Sequence, residues 1–434
     1  MEDGLRIKMS KYGRNIASNF ITHMISMVLG FVTSIIIARN FGPEGRGYIA
    51  YLFLIFSLIS DYGHFGINNA TTYFQKRSNY GVKEVYSVNL SYLFVMFSFL
   101  SFIVIILRTS GLILKEYSIL LIAMALIYVL CNFIITCNNG IYVGDERLRE
   151  SNIFTLVNKL TSSFLIIALW VFNCLSITAY IVILIFSLAL NVVLLMRKVG
   201  VQYRFKINYS LLAEEFKYGI IIYLSNLFGF LNYRVDQFMI KNMIGTKDLG
   251  VYAIGVTLAE LVFLVPSSVT SALDGRLYNI DNKSIEKKTV TCKTVKYTFY
   301  MSIFVVLIGI ACLRLIPILY GQEYKDAIAV TLILFTGIIF ASVAKVSYSY
   351  FFVSGRPAVH MVFTFISFLT NIVLNYFMIP AFGINGAALA STCSYFVYGS
   401  SYIVYFVVKE KFPIGDLLKI NREDIAILKG LIRR

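Results

Sequence analysis

Apolar runs long enough to cross a bilayer recur along this chain almost from end to end, and that repetition restricts its fold more than any other feature. A helix needs about 20 apolar residues to cross roughly 30 Å of hydrocarbon. Such runs fall at 15–38, 47–72, 87–107, 117–137, 153–173 and 176–196, and again at 218–240, 249–272, 297–318, 327–353, 358–379 and 384–408. With 58% of the 434 residues hydrophobic and 14% charged, little polar surface remains to clothe a soluble globule. A backbone inside lipid must satisfy its own hydrogen bonds, so the runs read as helices. The expected fold class is an all-α polytopic membrane protein of about twelve transmembrane helices.

The formal net charge of +16 could suggest nucleic acid as a partner, but the cations sit in short segments between the apolar runs. Of the 39 Lys and Arg residues, 28 lie in the N-terminus, the tail and the alternate loops beginning near Phe74, Asn138, Arg197, Leu273 and Ser354, against 8 in the other loops with Arg314, at the end of the 297–318 run, counted among them. The positive-inside rule then puts both termini in the cytoplasm, with no nucleic-acid partner expected. The first run follows a basic stretch from Arg6 to Arg14 but lacks a small-residue cleavage site, so it reads as a retained helix.

The six-plus-six layout carries a sequence echo. Lys11-Tyr12-Gly13 recurs as Lys217-Tyr218-Gly219. Gly42, Gly47 and Ala50 match Gly245, Gly250 and Ala253, and Arg147 after the fourth run matches Arg356 after the tenth. These matches predict two six-helix lobes in parallel orientation around a central pathway, 1–200 and 201–408, followed by a tail over 409–434. In that tail Leu417, Ile420, Leu428 and Leu431 alternate with Lys419, Arg422, Lys429 and Arg433, the pattern of an amphipathic helix lying on the cytoplasmic face.

Polar residues inside the runs fall at three- and four-residue steps, which places them on one face of each helix. The first run carries Asn15, Asn19, Thr22, Ser26, Gly30 and Thr33, and the fifth Asn152, Thr155, Lys159 and Ser162. In the seventh, Ser225, Gly229, Asn232 and Asp236 form one stripe, and Asn226, Tyr233, Arg234 and Gln237 lie nearer another. The eighth carries Thr257, Glu260, Ser267 and Ser271, and the eleventh His360, Thr364, Ser367, Asn371 and Asn375. Such stripes either glue packed helices together or line a shared water-filled cavity.

A charge at mid-membrane costs about 2.5 to 3.5 kcal/mol even on the lower scale and needs a partner or water. Six residues meet that condition: Arg234, Lys159 and Lys345 as cations for an anionic substrate, and Asp61, Asp236 and Glu260 as ion-coupling groups. Salt bridges that merely lock helices are the alternative. Pro266 should kink the eighth helix near Glu260. Six Cys without C-x-x-C spacing and three scattered His give no metal cluster, and without a Gly-rich phosphate loop no nucleotide cofactor is expected. No cofactor of any kind is expected. The external loops are short and hold no catalytic constellation, so the chain reads as no enzyme; a membrane polymerase or ligase is the less favoured alternative.

Val28-Leu29-Gly30-Phe31, followed by Ile35-Ile36-Ile37-Ala38-Arg39-Asn40-Phe41-Gly42-Pro43-Glu44-Gly45-Arg46-Gly47-Tyr48, resembles the first helix and turn of polysaccharide flippases. Those are the O-antigen (Wzx-type) transporters of the multidrug/oligosaccharidyl-lipid/polysaccharide exporter superfamily. Tyr233-Arg234-Val235-Asp236-Gln237 and Gly383-Ile384-Asn385-Gly386-Ala387-Ala388 also resemble that family. The resemblance implies alternating access and translocation of an undecaprenyl-pyrophosphate-linked oligosaccharide, an O-antigen or capsular repeat unit. It also implies membrane lipids as partners, together with polysaccharide polymerase and chain-length machinery. Lipid II flippases of the superfamily carry arginines in the first helix where this chain has Met27 and Thr33, which disfavours that cargo. A multidrug antiporter of the same superfamily is the main alternative, although three acids against three bases is not the acidic cavity a cationic drug wants.

Overall fold

The computed structural model of the chain describes residues 2–67, 71, 74, 80–145, 147–201, 203–280 and 285–418. The expectation for the amphipathic tail falls mostly on residues 419–434, outside the described residues; only its first turn, Ile414–Leu418, is seen, and it is helical.

Helices α1 (Glu2–Tyr62), α2 (Val82–Thr109), α3 (Ile119–Gly144), α4 (Leu148–Val171), α5 (Ile177–Val199) and α6 (Tyr209–Met243) are followed by α7 (Thr246–Ala259) and α8 (Leu264–Tyr278). The chain continues through α9 (Ile285–Cys312), the short α10 (Ile316–Tyr320), α11 (Ala327–Val353), α12 (Pro357–Val408) and the five-residue α13 (Ile414–Leu418). Among the described residues nine helical stretches are long and apolar enough to cross a membrane. Two of them, Ile21–Tyr62 with 42 residues and Pro357–Val408 with 52, could not lie in a bilayer unbroken, since 42 residues of helix already measure about 63 Å. Each is broken at one glycine with a left-handed backbone: Gly42 (φ 64°, ψ −177°) and Gly383 (φ 59°, ψ −139°). Only a residue without Cβ takes such angles cheaply, so each break makes two spans from one stretch. Nine stretches with two counted twice give eleven among the described residues, and α6, less apolar than these, lies over the expected seventh span. The protein is an all-α polytopic membrane protein.

The helices run past the apolar stretches that predict them. The span expected at 87–107 belongs to a helix over Val82–Thr109, and that at 297–318 to one beginning at Ile285. Hydropathy sees only the part in hydrocarbon, whereas a helix continues through the headgroup region until a cap or breaker ends it. Ser118 caps α3 by accepting the Leu121 N–H at 3.2 Å, and Ser176 caps α5 by accepting that of Ala179 at 3.1 Å. Arg197 and Lys198 stand in the last turn of α5, where the helix dipole favours cations, and Gly200 (φ 68°) stops it.

The sequence echo between the halves has a counterpart in backbone geometry. Gly245, the match of Gly42, stands before α7 with φ 134° and ψ −179°. Asn173 (φ 55°) turns the chain between α4 and α5 as Gly383 does within α12. Arg147 and Arg356 occupy the same position, the residue before the first turn of α4 and of α12.

The chain divides into two compact units, Met1–Leu224 and Ser225–Arg434, so that α6 begins in one and ends in the other. In the first unit α1 packs on α3 and α4, and α5 closes against both. Asn152 ties α4 to α1, its amide donating to Asn19 Oδ1 at 2.7 Å and Ser18 Oγ at 3.2 Å. In the second unit α11 is the hub, touched by α7, α8, α9 and α12. Between α7 and α8 the α-helix gives way to a 3-10 turn at Glu260–Phe263. Pro266 lies four residues after Val262 and offers no N–H to the Val262 carbonyl, which loosens the helix at that turn.

Candidate functional site

The second unit gathers most of the polar residues expected to matter. Asn232 and Asp236, four apart on α6, are each 1% exposed. Asp236 accepts from Tyr252 Oη of α7 at 2.5 Å and from Ser391 Oγ of α12 at 2.8 Å, and its Oδ1 lies 2.7 Å from the Gln237 N–H. Beside it the Asn371 amide donates to the Asn232 carbonyl at 2.8 Å and to Ser394 Oγ at 3.2 Å. Asn375 donates to the Asn371 carbonyl at 2.9 Å and also to its side-chain oxygen, and Ser367 Oγ donates to the Ser394 carbonyl at 2.7 Å.

This arrangement decides between the two readings of the eleventh-span stripe. Thr364, Ser367, Asn371 and Asn375 are at most 1% exposed and His360 is buried, so the stripe does not line water. Its polar atoms meet α6 and the second half of α12, the role of helix-to-helix glue. His360 hydrogen-bonds Tyr402 and lies among the rings of Tyr348, Tyr398 and Tyr402.

The carboxylate of the eighth span, Glu260, meets Arg234. Its Nη1 stands 2.9 Å from Glu260 Oε1 and its Nη2 3.1 Å from Oε2, a two-point fork. Both side chains keep about a quarter of their surface open, 29% for Arg234 and 27% for Glu260. Lys345 on α11 rests its ammonium 3.8 Å from the centre of the Phe263 ring and 5.8 Å from that of Tyr233, a cation–π seat. Among the described residues no carboxylate lies within ion-pair distance of it. Tyr233 in turn packs on Phe263 at 5.5 Å and Tyr395 at 5.3 Å between ring centres.

Asp61 and Lys159 belong to the first unit and both are exposed. Asp61 Oδ1 accepts from Ser60 Oγ at 3.2 Å, and the Lys159 carbonyl accepts from Ser162 Oγ at 3.1 Å. Neither has an ion pair among the described residues. The six expected residues thus fall into three kinds: a paired fork, two charges held by hydrogen bonds or aromatic faces, and two left open.

Sequence reasoning missed two participants. Tyr252, fully buried, is the shortest contact of Asp236 and carries no sequence mark of its own. Glu215 was outside the expected spans, yet Leu211, Leu212 and Phe216 flank it at helical steps, a pattern that puts a carboxylate on an apolar face. Among the described residues no three His, Cys, Asp or Glu come together as a metal site. The oxygens round Asp236 are of the kind that hold a proton or a small hard cation.

Residues 12–273 match a family described as polysaccharide biosynthesis protein, and residues 222–377 match the MatE family. The chain is 22% identical over 414 residues to the capsular polysaccharide biosynthesis protein CapF of Staphylococcus aureus, covering 91% of this chain and 98% of that protein. It is 22% identical over 401 residues to a putative O-antigen transporter of Shigella flexneri, covering 87% and 93%. A probable multidrug resistance protein NorM of Neisseria meningitidis is 26% identical over 201 residues, 43% of either chain. Among solved structures, an inward-facing multidrug resistance MATE family transporter of the MOP superfamily superposes with a TM-score of 0.71 at 13% identity, over 93% of this chain and 98% of that one. The lipid II flippase MurJ, in an inward closed conformation, gives 0.68 at 14% identity, over 95% and 92%. At such identities the likeness is one of fold.

Proposed function

This chain belongs to the polysaccharide biosynthesis protein family, and from that premise we propose that it is a flippase for an undecaprenyl-pyrophosphate-linked oligosaccharide. It carries the cargo from the cytoplasmic to the outer leaflet of a bacterial inner membrane, both termini remaining in the cytoplasm. The observation that carries this reading is near full-length similarity to two proteins named for capsular polysaccharide biosynthesis and O-antigen transport. The work is translocation by alternating access, not bond chemistry, and the oligosaccharide delivered would serve polymerase and chain-length machinery outside.

The charges supply a mechanism. A pyrophosphate head leaving water must be met by cations, and Arg offers a planar two-donor fork while Lys offers a point charge. The Arg234 fork is held by Glu260 and partly open, so an incoming phosphate competes with Glu260 for the same donors. Lys345, seated on Phe263, adds a charge that no described acid neutralises, and Lys159 adds an exposed one. Glu260, once displaced, takes a proton or turns to water, while Asp236 and Asp61 are the other groups through which an ion gradient biases the cycle.

A multidrug antiporter is the second reading, favoured by the MatE match and the NorM similarity over 43% of the chain. It fits the charges less well, because Glu260 and Asp236 are already engaged and the uncovered charges are mainly cations.

The test is surface polysaccharide measured with membrane protein abundance for Arg234→Ala, Arg234→Lys, Lys159→Ala and Lys345→Ala. Export is expected to fall most in Arg234→Ala, less in Arg234→Lys, with abundance retained by the Lys variants. Normal export by both Arg234→Ala and Lys159→Ala would overturn the cationic path.

A further inference from the structure

Away from these charges, the first unit encloses a carboxylate that the mechanism above does not use. Glu215 is 0% exposed in the first half of α6, on the helix face of Leu211 and Leu212, whose apolar cluster with Ile67, Phe74, Val85 and Val88 makes the seat beside it. One oxygen, Oε1, accepts from the Asn89 amide of α2 at 3.0 Å. The same amide donates to Thr71 Oγ1 at 2.8 Å, and Thr71 spends its own hydrogen on the Ile67 carbonyl at 3.0 Å. Every donor in the chain is therefore used. Two acceptors are left over, both out of reach of water: Glu215 Oε2 and Asn89 Oδ1.

Two orphaned acceptors on directly bonded partners mean that one hydrogen is missing from the count. An ionised carboxylate here would carry a full charge against a single amide, with its desolvation otherwise uncompensated. A neutral acid removes that cost and supplies the missing donor.

Among the described residues the surroundings offer no other neutraliser. From α2 the facing titratable group is Tyr92, packed on Phe216, and Glu84 at the start of α2 is taken by Lys206 at 2.6 Å. From α3 it is the buried thiol of Cys137. His64, before the seat, uses Nδ1 to accept from the Gly66 N–H at 3.1 Å. On α6 itself Glu214 and Lys217 are exposed. Among the described residues no Lys or Arg pairs with Glu215.

We infer that Glu215 is a proton-binding site: its carboxyl is a neutral acid while the first half of α6 is seated on α2, and it releases that proton to water when the seat opens. The step is a simple dissociation, carboxylic acid to carboxylate plus a proton taken by water, and needs no other reactant. Since the same helix carries Arg234 and Asp236 further along, proton occupancy at its first half bears on the element that holds the charged site. The existence of the site does not depend on the cargo.

The experiment compares infrared spectra of the full chain and of Glu215→Gln in lipid nanodiscs at neutral pH. A protonated-carboxyl absorption, shifted by deuterium exchange, is expected in the native chain and absent from the Gln variant, while Asn89→Leu keeps the band but moves it. Above the unfolded carboxyl's value of about 4.3 the seated state binds one proton more than the unfolded chain, so the thermal midpoint of the native protein is expected to fall relative to Glu215→Gln as pH rises from there through the higher folded value. No band lost in Glu215→Gln, no movement in Asn89→Leu, or a midpoint difference that grows in favour of the native chain with rising pH would each overturn the site.

Discussion

The two units treat their intramembrane charges differently. In the second, Asp236 is hydrogen-bonded by Tyr252 and Ser391, Arg234 is forked to Glu260 and Lys345 is seated on Phe263. In the first, Asp61 and Lys159 are exposed. Burial departs from that of the first unit in two stretches only: the apolar windows of Thr246–Tyr278 and Ala327–Val353 are 67% and 61% buried, whereas Ile285–Tyr320 and Pro357–Val408, at 22% and 28%, fall within the 22% to 33% of the five stretches from Ile21 to Val199. A charge enclosed by protein is fixed in place and its removal damages the fold. An open charge must be met by water or ligand, so its removal damages only what it meets.

That contrast can be broken by experiment, and the largest effect is expected at Asp236. Asp236→Ala orphans the Tyr252 and Ser391 hydroxyls in a closed interior, at about 1–3 kcal/mol for each buried group left unsatisfied. Membrane abundance and thermal midpoint should drop sharply. Lys159→Ala and Asp61→Ala should stay within about 0.5 kcal/mol, as surface changes do. Equal destabilisation in the two units would erase the distinction.

Next comes the fork. Glu260→Ala leaves Arg234 without its partner, but both groups are a quarter open to their surroundings, so the loss should fall short of the roughly 3–5 kcal/mol seen for fully buried pairs. Adding Arg234→Ala is expected to restore abundance without restoring export. Recovery of export in the double variant would reduce the pair to a structural lock.

The smallest effects are expected at the clamps beside Arg147 and Arg356. In the first unit Arg147 forks onto Glu150 at 2.9 Å, and Lys198 approaches the same carboxylate at 3.6 Å. In the second, Glu410 takes both Lys288 and Arg356 at 3.0 Å. Burial pushes the Glu410 carboxyl up, but the two cations outweigh it and hold it below the usual range. A depressed carboxyl contributes stability above the unfolded-state value of about 4.3 and loses it as pH falls through the lower folded value. Glu410→Gln should therefore cost about 1 kcal/mol or less at neutral pH and flatten the acid limb of the stability profile. Arg147→Ala, at a more open clamp, should cost less still. A thermal midpoint for Glu410→Gln that tracks the native protein at all pH values would count against the clamp.

Much of this was open to inspection residue by residue. The polar stripe of the seventh helix separated Asn232 and Asp236 from Arg234, and the structure buries the first two while leaving the third partly open. The eleventh-span stripe was equally visible, but its setting was not: Asn371 could have faced water as readily as Asn232, and spacing on one helix carries no information about its neighbour. Glu215 was overlooked because a hydropathy window stops where charges begin, although the helix and its buried face continue.

The sequence by itself determined the class of the molecule, its apolar spans and the short set of ionisable residues within them. Those follow from local physics: the length of hydrocarbon to be crossed and the need to satisfy a backbone there. Only the tertiary structure decided which of those charges is paired, which rests on a ring and which stays open, and that one further carboxylate lies closed in an apolar seat. A charge takes its meaning from the group within 3 or 4 Å of it, and for Arg234, Asp236 and Lys345 that group lies on another helix.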